Sequence, residues 1–257
     1  MIKYLKTAQL TAAQKTNGGV IYLLPEIFIR MCTLIALLFL WRAVFSAGAP
    51  SEMSLSQMLS YTYLSALLTD LLVVRTLASG WMAEGVIARL HAQPLSLLGQ
   101  LAAQTIGGWL PSLLLFSLPM ALLAPLLGVN LLPTSPWFAV SLLLCVSLGF
   151  AVDLLFACLA MKLRNMAWVV GRLRTAIITL LSGTIVPILL LPGAFSAVLK
   201  YQPFAALGGA PLCVFIAQSN AEAMETLLLQ ILWNLILWPI AFAVFQKSKE
   251  GMVSYGG

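Results

Sequence analysis

The chain has 257 residues, 61% of them hydrophobic and 9% charged, with a mean hydropathy of +1.00. A water-soluble domain is about 45–50% apolar and about 25% charged, so this composition excludes a soluble fold and leaves no polar stretch long enough for a separate soluble domain. The net charge of +6 needs no nucleic acid, because a basic face beside anionic lipid accounts for it.

Residues 1–19 are the first predicted element. Tyr4, Leu5, Ala8 and Ala12 recur at helical spacing, opposite Lys3, Lys6, Gln9 and Lys15. This predicts an amphipathic interfacial helix on the inner leaflet, with a frayed cationic tail as the alternative. Gly18 and Gly19 then let the chain turn inward.

Residues 20–257 read as a single transmembrane domain. Crossing a core of ~30 Å takes ~20 helical residues at ~1.5 Å each. Six runs meet that length, at about 21–45, 55–75, 101–127, 137–161, 174–192 and 226–245. The first begins after some twenty mixed residues and has no convincing small-residue cleavage site, so it reads as a span and not a signal peptide. The apolar stretch at 203–217 is too short to cross, and fits a half-helix returning to the outer surface within a re-entrant segment at about 193–217. The expected fold is therefore all-α and integral to the membrane.

Basic residues set the orientation. Lys3, Lys6, Lys15, Arg75, Arg89, Lys162, Arg164, Arg172, Arg174, Lys247 and Lys249 fall on one side of a six-span layout, and Arg42 and Lys200 on the other. That asymmetry places both termini in the cytosol.

Four charged residues fall inside apolar runs. Glu26 and Arg30 lie four apart in the first span and share a helix face. Asp70 is near the inner end of the second span, and Asp153 is about two turns inside the fourth. Intramembrane charges usually face a bundle interior or an aqueous path. One reading places all four along a transport route, and the other makes Glu26, Arg30 and Asp70 a fastening network near the headgroups. Asp153 is the stronger route candidate, since no basic residue is evident at its level.

Proline and glycine mark the flexible elements. The third span carries Pro111, Pro119 and Pro125, and the fifth carries Gly183, Pro187 and Pro192. Each proline removes an amide donor and favours a bend. Trp41, Trp81, Trp109, Trp137, Trp168, Trp233 and Trp238 fall mostly near expected span ends, where aromatic side chains anchor. Cys32, Cys145, Cys158 and Cys213 lie in apolar runs without short spacing and read as reduced core residues. His91 has no second ligand nearby, so no metal site is expected. The phosphate-cradling G-x-x-x-x-G-K-[ST] is absent, as are H-E-x-x-H and G-x-S-x-G, and no catalytic constellation is expected.

The segment at about 82–95 reads as a cytosolic elbow. Glu84 opens it, Val86, Ile87 and Leu90 form an apolar stripe beside Arg89, and Pro94 limits it to about two turns. Such a short helix needs a surface to be stable, and a cytosolic partner supplies one.

Taken together, these features resemble the type-2 permease subunits of bacterial ATP-binding-cassette (ABC) exporters, in the branch of roughly 260-residue six-span permeases. Gly85, Val86, Leu90, Pro94 and Leu95 match that branch's first cytosolic loop, the coupling helix; an Arg often precedes the proline there, and Gln93 stands in its place. Ser182, Gly183, Pro187 and Pro192, followed by Pro203, Phe204 and Pro211, match its span-five and re-entrant segment. The resemblance runs through most of the chain and implies architecture far more than cargo. It implies a multi-pass protein of the bacterial inner membrane, two cytosolic ATPase subunits and a second permease chain, identical or related. It also implies that ATP and Mg belong to the ATPase partner, with no cofactor in this chain. The apolar surfaces suit a hydrophobic or amphipathic cargo such as a drug, lipid or modified peptide. Two other classes stay open. An ion-gradient transporter needs paired ionisable groups at mid-depth and internal repeats, and a membrane-embedded enzyme needs clustered ligands near one interface.

Overall fold

The computed structural model describes residues 2–17, 19–48, 53–83, 90, 95–163 and 166–253, and every regular element among them is helical. Four helical runs are long and apolar enough to cross a membrane: Leu24–Ser46, Leu97–Leu127, Phe138–Lys162 and Asn220–Ser248. The chain is thus an all-helical protein of membrane character.

α1 (Ile2–Thr16) does not stand alone against lipid as its amphipathic pattern suggests. It runs beside α6 (Leu97–Ser112), in the same direction. Tyr4 Oη lies 3.1 Å from Ser96 Oγ at the start of the pair, and Lys15 Nζ donates to Gly108 O at 2.9 Å and Ser112 Oγ at 3.2 Å near its end. Gly107 makes the contact possible, since a Cβ there would sit 2.3 Å from Ala8 O.

α2 (Leu24–Ser46) is the first long helix, opened by Pro25 in its first turn. α3 (Leu55–Leu67) starts on a capping box, with Ser54 Oγ accepting from Gln57 N at 3.2 Å and Gln57 Oε1 accepting from Ser54 N at 2.9 Å. It then breaks at Leu68 and resumes only as α4 (Thr69–Leu72). The expected second span is therefore two helical pieces followed by non-helical Val73–Arg75. α5 (Ala78–Ala83) leads toward the elbow.

α6 continues through a π-helical turn at Leu113–Ser117 into α7 (Leu118–Leu123) and a 3₁₀ turn at Ala124–Leu127. Pro111 and Pro119 bracket the π turn, because each withdraws one amide from the ladder and the backbone re-spaces around it. Ser117 Oγ donates to Leu67 O at 2.6 Å, satisfying a carbonyl at the break in the second span.

α8 (Phe138–Lys162) is the central helix, packed against the last helix, against the short helix Gly209–Ile216 and against α5. α9 (Ala167–Leu181) begins earlier and ends earlier than the expected fifth span. Ser182 and left-handed Gly183 (φ +78°) stop it, and Pro187 and Pro192 prevent its resumption. α10 (Gly193–Tyr201) and α11 (Gly209–Ile216) follow as short helices, and α12 (Asn220–Val253) starts six residues before the expected sixth span.

A helix broken inside a membrane must have its freed carbonyls satisfied by the protein. Three side chains do this at the end of α9. Tyr61 Oη donates to Gly183 O at 2.7 Å, Ser65 Oγ to Thr184 O at 2.8 Å, and Gln202 Nε2 to Leu181 O at 2.7 Å. A polar seam likewise joins α8 to α12. Fully buried Gln230 accepts from Ser141 Oγ at 2.7 Å and donates to Ser141 O and Ala206 O, while Asn234 donates to Leu144 O and Trp238 to Ser147 Oγ. Half-buried Trp238 thus ties two helices together, and Trp41 and Trp109 are buried. Among the cysteines, Cys145 and Cys158 are core residues as expected, whereas Cys32 is exposed.

Candidate functional site

Arg30 organises the first cluster of charge. Its spacing from Glu26 is one helical turn, so both project from one face of α2, and the Nη2–Oε1 distance is 2.6 Å. The guanidinium also reaches Asp70 in a two-pronged contact, Nη2–Oδ1 at 2.8 Å and Nη1–Oδ2 at 3.0 Å, and lies 5.8 Å from the centre of the Phe116 ring. A planar fork matched to a carboxylate is the strongest form of such a pair. The sequence expectation of this network is met.

Its depth differs from that expectation. Leu71 O and Leu72 O sit level with Cys145 Sγ, seven residues after the start of α8 and seventeen before its Lys162 end. Asp70 therefore lies beside the body of α8, away from its Lys162 end.

The network lines a cavity of about 810 Å³. α2 supplies one wall with Ile29, Thr33 and Leu37, and α3 and α4 supply another with Thr62, Ser65 and Thr69. The α1–α6 pair closes a third side with Lys15, Gln104 and Trp109, and Thr184 and Ile185 come from the break after α9. Arg75 and Leu77 complete it. Apolar side chains alternate with hydroxyls and charges, the mixture expected of a site that takes a molecule with both kinds of surface.

Asp153 stands elsewhere, and its sequence reading requires correction. A base is present at its level: Arg174 Nε lies 2.8 Å from Asp153 Oδ1, and the two side chains are 7% and 5% exposed. The charge asymmetry groups Arg174 with the cytosolic residues, but α9 begins at Ala167 and carries it two turns inward. Asp153 Oδ2 also accepts from Thr76 N at 3.0 Å and from Thr76 Oγ1, and Arg174 Nη2 donates to Val74 O. Thr76 Oγ1 in turn accepts from Ala78 N at 3.1 Å, capping α5. Asp153 and Arg174 thus clamp the non-helical stretch between α4 and α5. Asp153 does not line the 810 Å³ cavity.

Glu84, Gly85, Val86, Arg89 and Pro94 lie outside the described residues. Leu90 is described and is 6% exposed, packed in a cluster with Leu101, Leu154, Cys158 and Phe245. Gln100 Nε2 holds this end of the elbow by donating to Leu90 O at 3.3 Å and Leu95 O at 3.1 Å. The Leu90 side chain is therefore covered by its own chain and is not free to dock on a partner.

Gly183, Pro187 and Pro192 form the break described above, and Pro203, Phe204 and Pro211 lie in or beside the short helices that follow it. Those helices border a second pocket of about 300 Å³, rimmed by the exposed Lys200–Glu225 pair at 2.7 Å. Sequence reasoning misses Lys15, Arg174, Thr76 and Gln230. The first two carry a signal, a cation beside an apolar run, that the cytosolic flank absorbs. No family model matches the chain, and no curated protein matches it.

Proposed function

We propose that this chain is the transmembrane permease subunit of an ABC-type exporter, forming half of a substrate path that a separate cytosolic ATPase drives. The observation that carries this reading is the cavity. A chain so apolar maintains a mixed polar chamber of about 810 Å³ with three cations and two acids on its lining, and intramembrane charges kept at such expense mark a route. The two broken spans support it, since broken helices with side-chain-satisfied carbonyls are the joints along which transporters move. In this reading the chain has six spans with both termini cytosolic in a bacterial inner membrane, α10 and α11 form a re-entrant outer segment, and the elbow docks on the ATPase. The coupling role falls to Glu84, Val86 and Arg89, and Leu90 anchors the elbow to the bundle. ATP binding tilts the elbows, and the clamp at Thr76 passes that motion to α8 and α9.

Co-purification in mild detergent tests the proposal. The wild-type chain is expected to retain a cytosolic ATPase, and Val86→Asp is expected to release it or to uncouple hydrolysis from transport while inserting at normal yield. Full transport and full ATPase retention by Val86→Asp would remove the elbow from the coupling role. Topology has its own measurement in a chain cleared of native thiols. Cysteine at Leu132, which is 75% exposed, is expected to react with an impermeant reagent in intact cells. Cysteine at Leu163, 44% exposed at the other end of α8, is expected to react only after lysis.

The Glu26–Arg30–Asp70 triad favours one second reading, an ion-gradient-driven transporter, because it sets two carboxylates on one guanidinium beside the cavity. Transport by vesicles that hold a proton gradient and no ATP would select it.

A further inference from the structure

The charges around the cavity do not cancel. Arg30 is engaged by both Glu26 and Asp70, which leaves Lys15 and Arg75 as the remaining cations on the lining. Among the described residues, neither has a carboxylate within ion-pair distance. Lys15 is half-buried and spends two of its three donors on neutral oxygens, Gly108 O and Ser112 Oγ. Arg75 is exposed, follows the residue whose carbonyl Arg174 holds, and makes no hydrogen bond to a described residue. Asp153 and Arg174, which hold the backbone on either side of it, already neutralise one another. Two cations therefore face one chamber with donors to spare.

The rest of the lining states what kind of anion fits. Ile29, Leu34 and Leu37 of α2 and Ile185 from the break after α9 offer apolar surface, and Thr33 and Thr69 add hydroxyls to the same lining. A small inorganic anion would satisfy the charges and leave the apolar wall bare. A neutral amphiphile would fill the wall and leave the charges unmatched. We propose that the cavity binds an amphiphile with a single anionic headgroup, a phosphate or carboxylate held between Lys15 and Arg75, with its hydrocarbon portion against α2. This deepens the permease reading, taking the cavity as that subunit's cargo site, and assigns the cargo a charge.

Binding of radiolabelled dodecyl phosphate to the purified full-length chain in a maltoside detergent tests the assignment. Saturable binding is expected, with dodecylphosphocholine and inorganic phosphate each competing at least tenfold more weakly than unlabelled dodecyl phosphate. Lys15→Gln and Arg75→Gln are each expected to weaken binding about tenfold, and Lys15→Arg and Arg75→Lys to restore most of it. Lys6→Gln, which removes an exposed charge outside the cavity, is expected to bind as wild type. The charge-conserving pair guards against misfolding, since loss in both members of a pair with an unchanged melting temperature counts against the site. Equal competition by inorganic phosphate would overturn the amphiphile, equal competition by dodecylphosphocholine would overturn the charge, and equal loss in Lys6→Gln would overturn the location. The assay needs no ATPase. Failure here with ATPase co-purification intact sinks only the ligand, and intact binding in a chain that captures no ATPase sinks only the permease reading.

Discussion

Replacing Asp153 by alanine is expected to lower stability by about 3–5 kcal/mol, the range for breaking a buried ion pair by removal of one partner. Arg174 would keep its charge in a site where its side chain is 7% exposed, with Val74 O its one remaining hydrogen-bond acceptor. The Thr76 amide would lose its acceptor at the same time. Against a typical total of about 5–15 kcal/mol, that loss is enough to reduce the yield of folded protein sharply. Asp153→Asn keeps an acceptor for Thr76 and should fall between wild type and alanine. Asp153→Leu combined with Arg174→Met removes both charges and should recover part of the loss, because apolar replacement of a whole pair is often neutral. Recovery stays incomplete, since Val74 O and Thr76 N are left without partners at about 1–3 kcal/mol each. Thermal unfolding in mild detergent measures the series. An alanine variant that melts with wild type would show that the clamp contributes nothing.

Gly107→Ala is the second large effect, and its neighbour supplies the control. A Cβ at Gly107 would lie 2.3 Å from Ala8 O and 2.9 Å from Ala8 Cα, so backbone must move and no side chain can turn aside. A Cβ at Gly108 would meet nothing within 4 Å. Overpacking of this kind typically costs about 1–3 kcal/mol, and at Gly107 it falls on the seam that joins α1 to α6. Separation of the two helices would withdraw Lys15 from the cavity. Gly107→Ala is therefore expected to lower both melting temperature and dodecyl phosphate binding, whereas Gly108→Ala is expected to leave the melting temperature unchanged. Equal behaviour of the two variants would show that α1 does not rest on α6 through this glycine.

The Glu26–Arg30–Asp70 network is legible in the amino-acid sequence because helical spacing fixes the first pair and similar depth suggests the third member. The break after Leu181 is equally plain there, since Gly183, Pro187 and Pro192 state it in the backbone's own terms. Arg174 cannot be placed in the same way. A hydropathy window starts a span after a charge, whereas α9 starts seven residues before Arg174 and sets that charge opposite Asp153. The partner that makes its burial tolerable lies in another helix, where no local pattern reveals it. The α8–α12 seam is hidden for a related reason. Ser141 and Gln230 interrupt apolar runs without saying which way they face, and only packing turns them toward each other. Leu90 marks the limit of an apolar stripe as a signal, because the same periodicity fits docking on a partner and docking on the chain itself.

The seam between α1 and α6 also bears on how the protein is made. Tyr4 meets Ser96 and Lys15 meets Ser112, partners 92 and 97 residues further along the chain. At ~5–20 residues per second of synthesis, α1 exists for roughly 5–20 s before the helix that receives it has emerged. During that interval its Lys3, Lys6 and Lys15 face suits anionic headgroups, and its Tyr4 and Ala8 face suits the lipid boundary. The amphipathic pattern is therefore written for a waiting state as well as for the finished one. Leu24–Ser46 enters the bilayer first, and the Lys15 wall of the cavity is hung only after Leu97–Leu127 arrives.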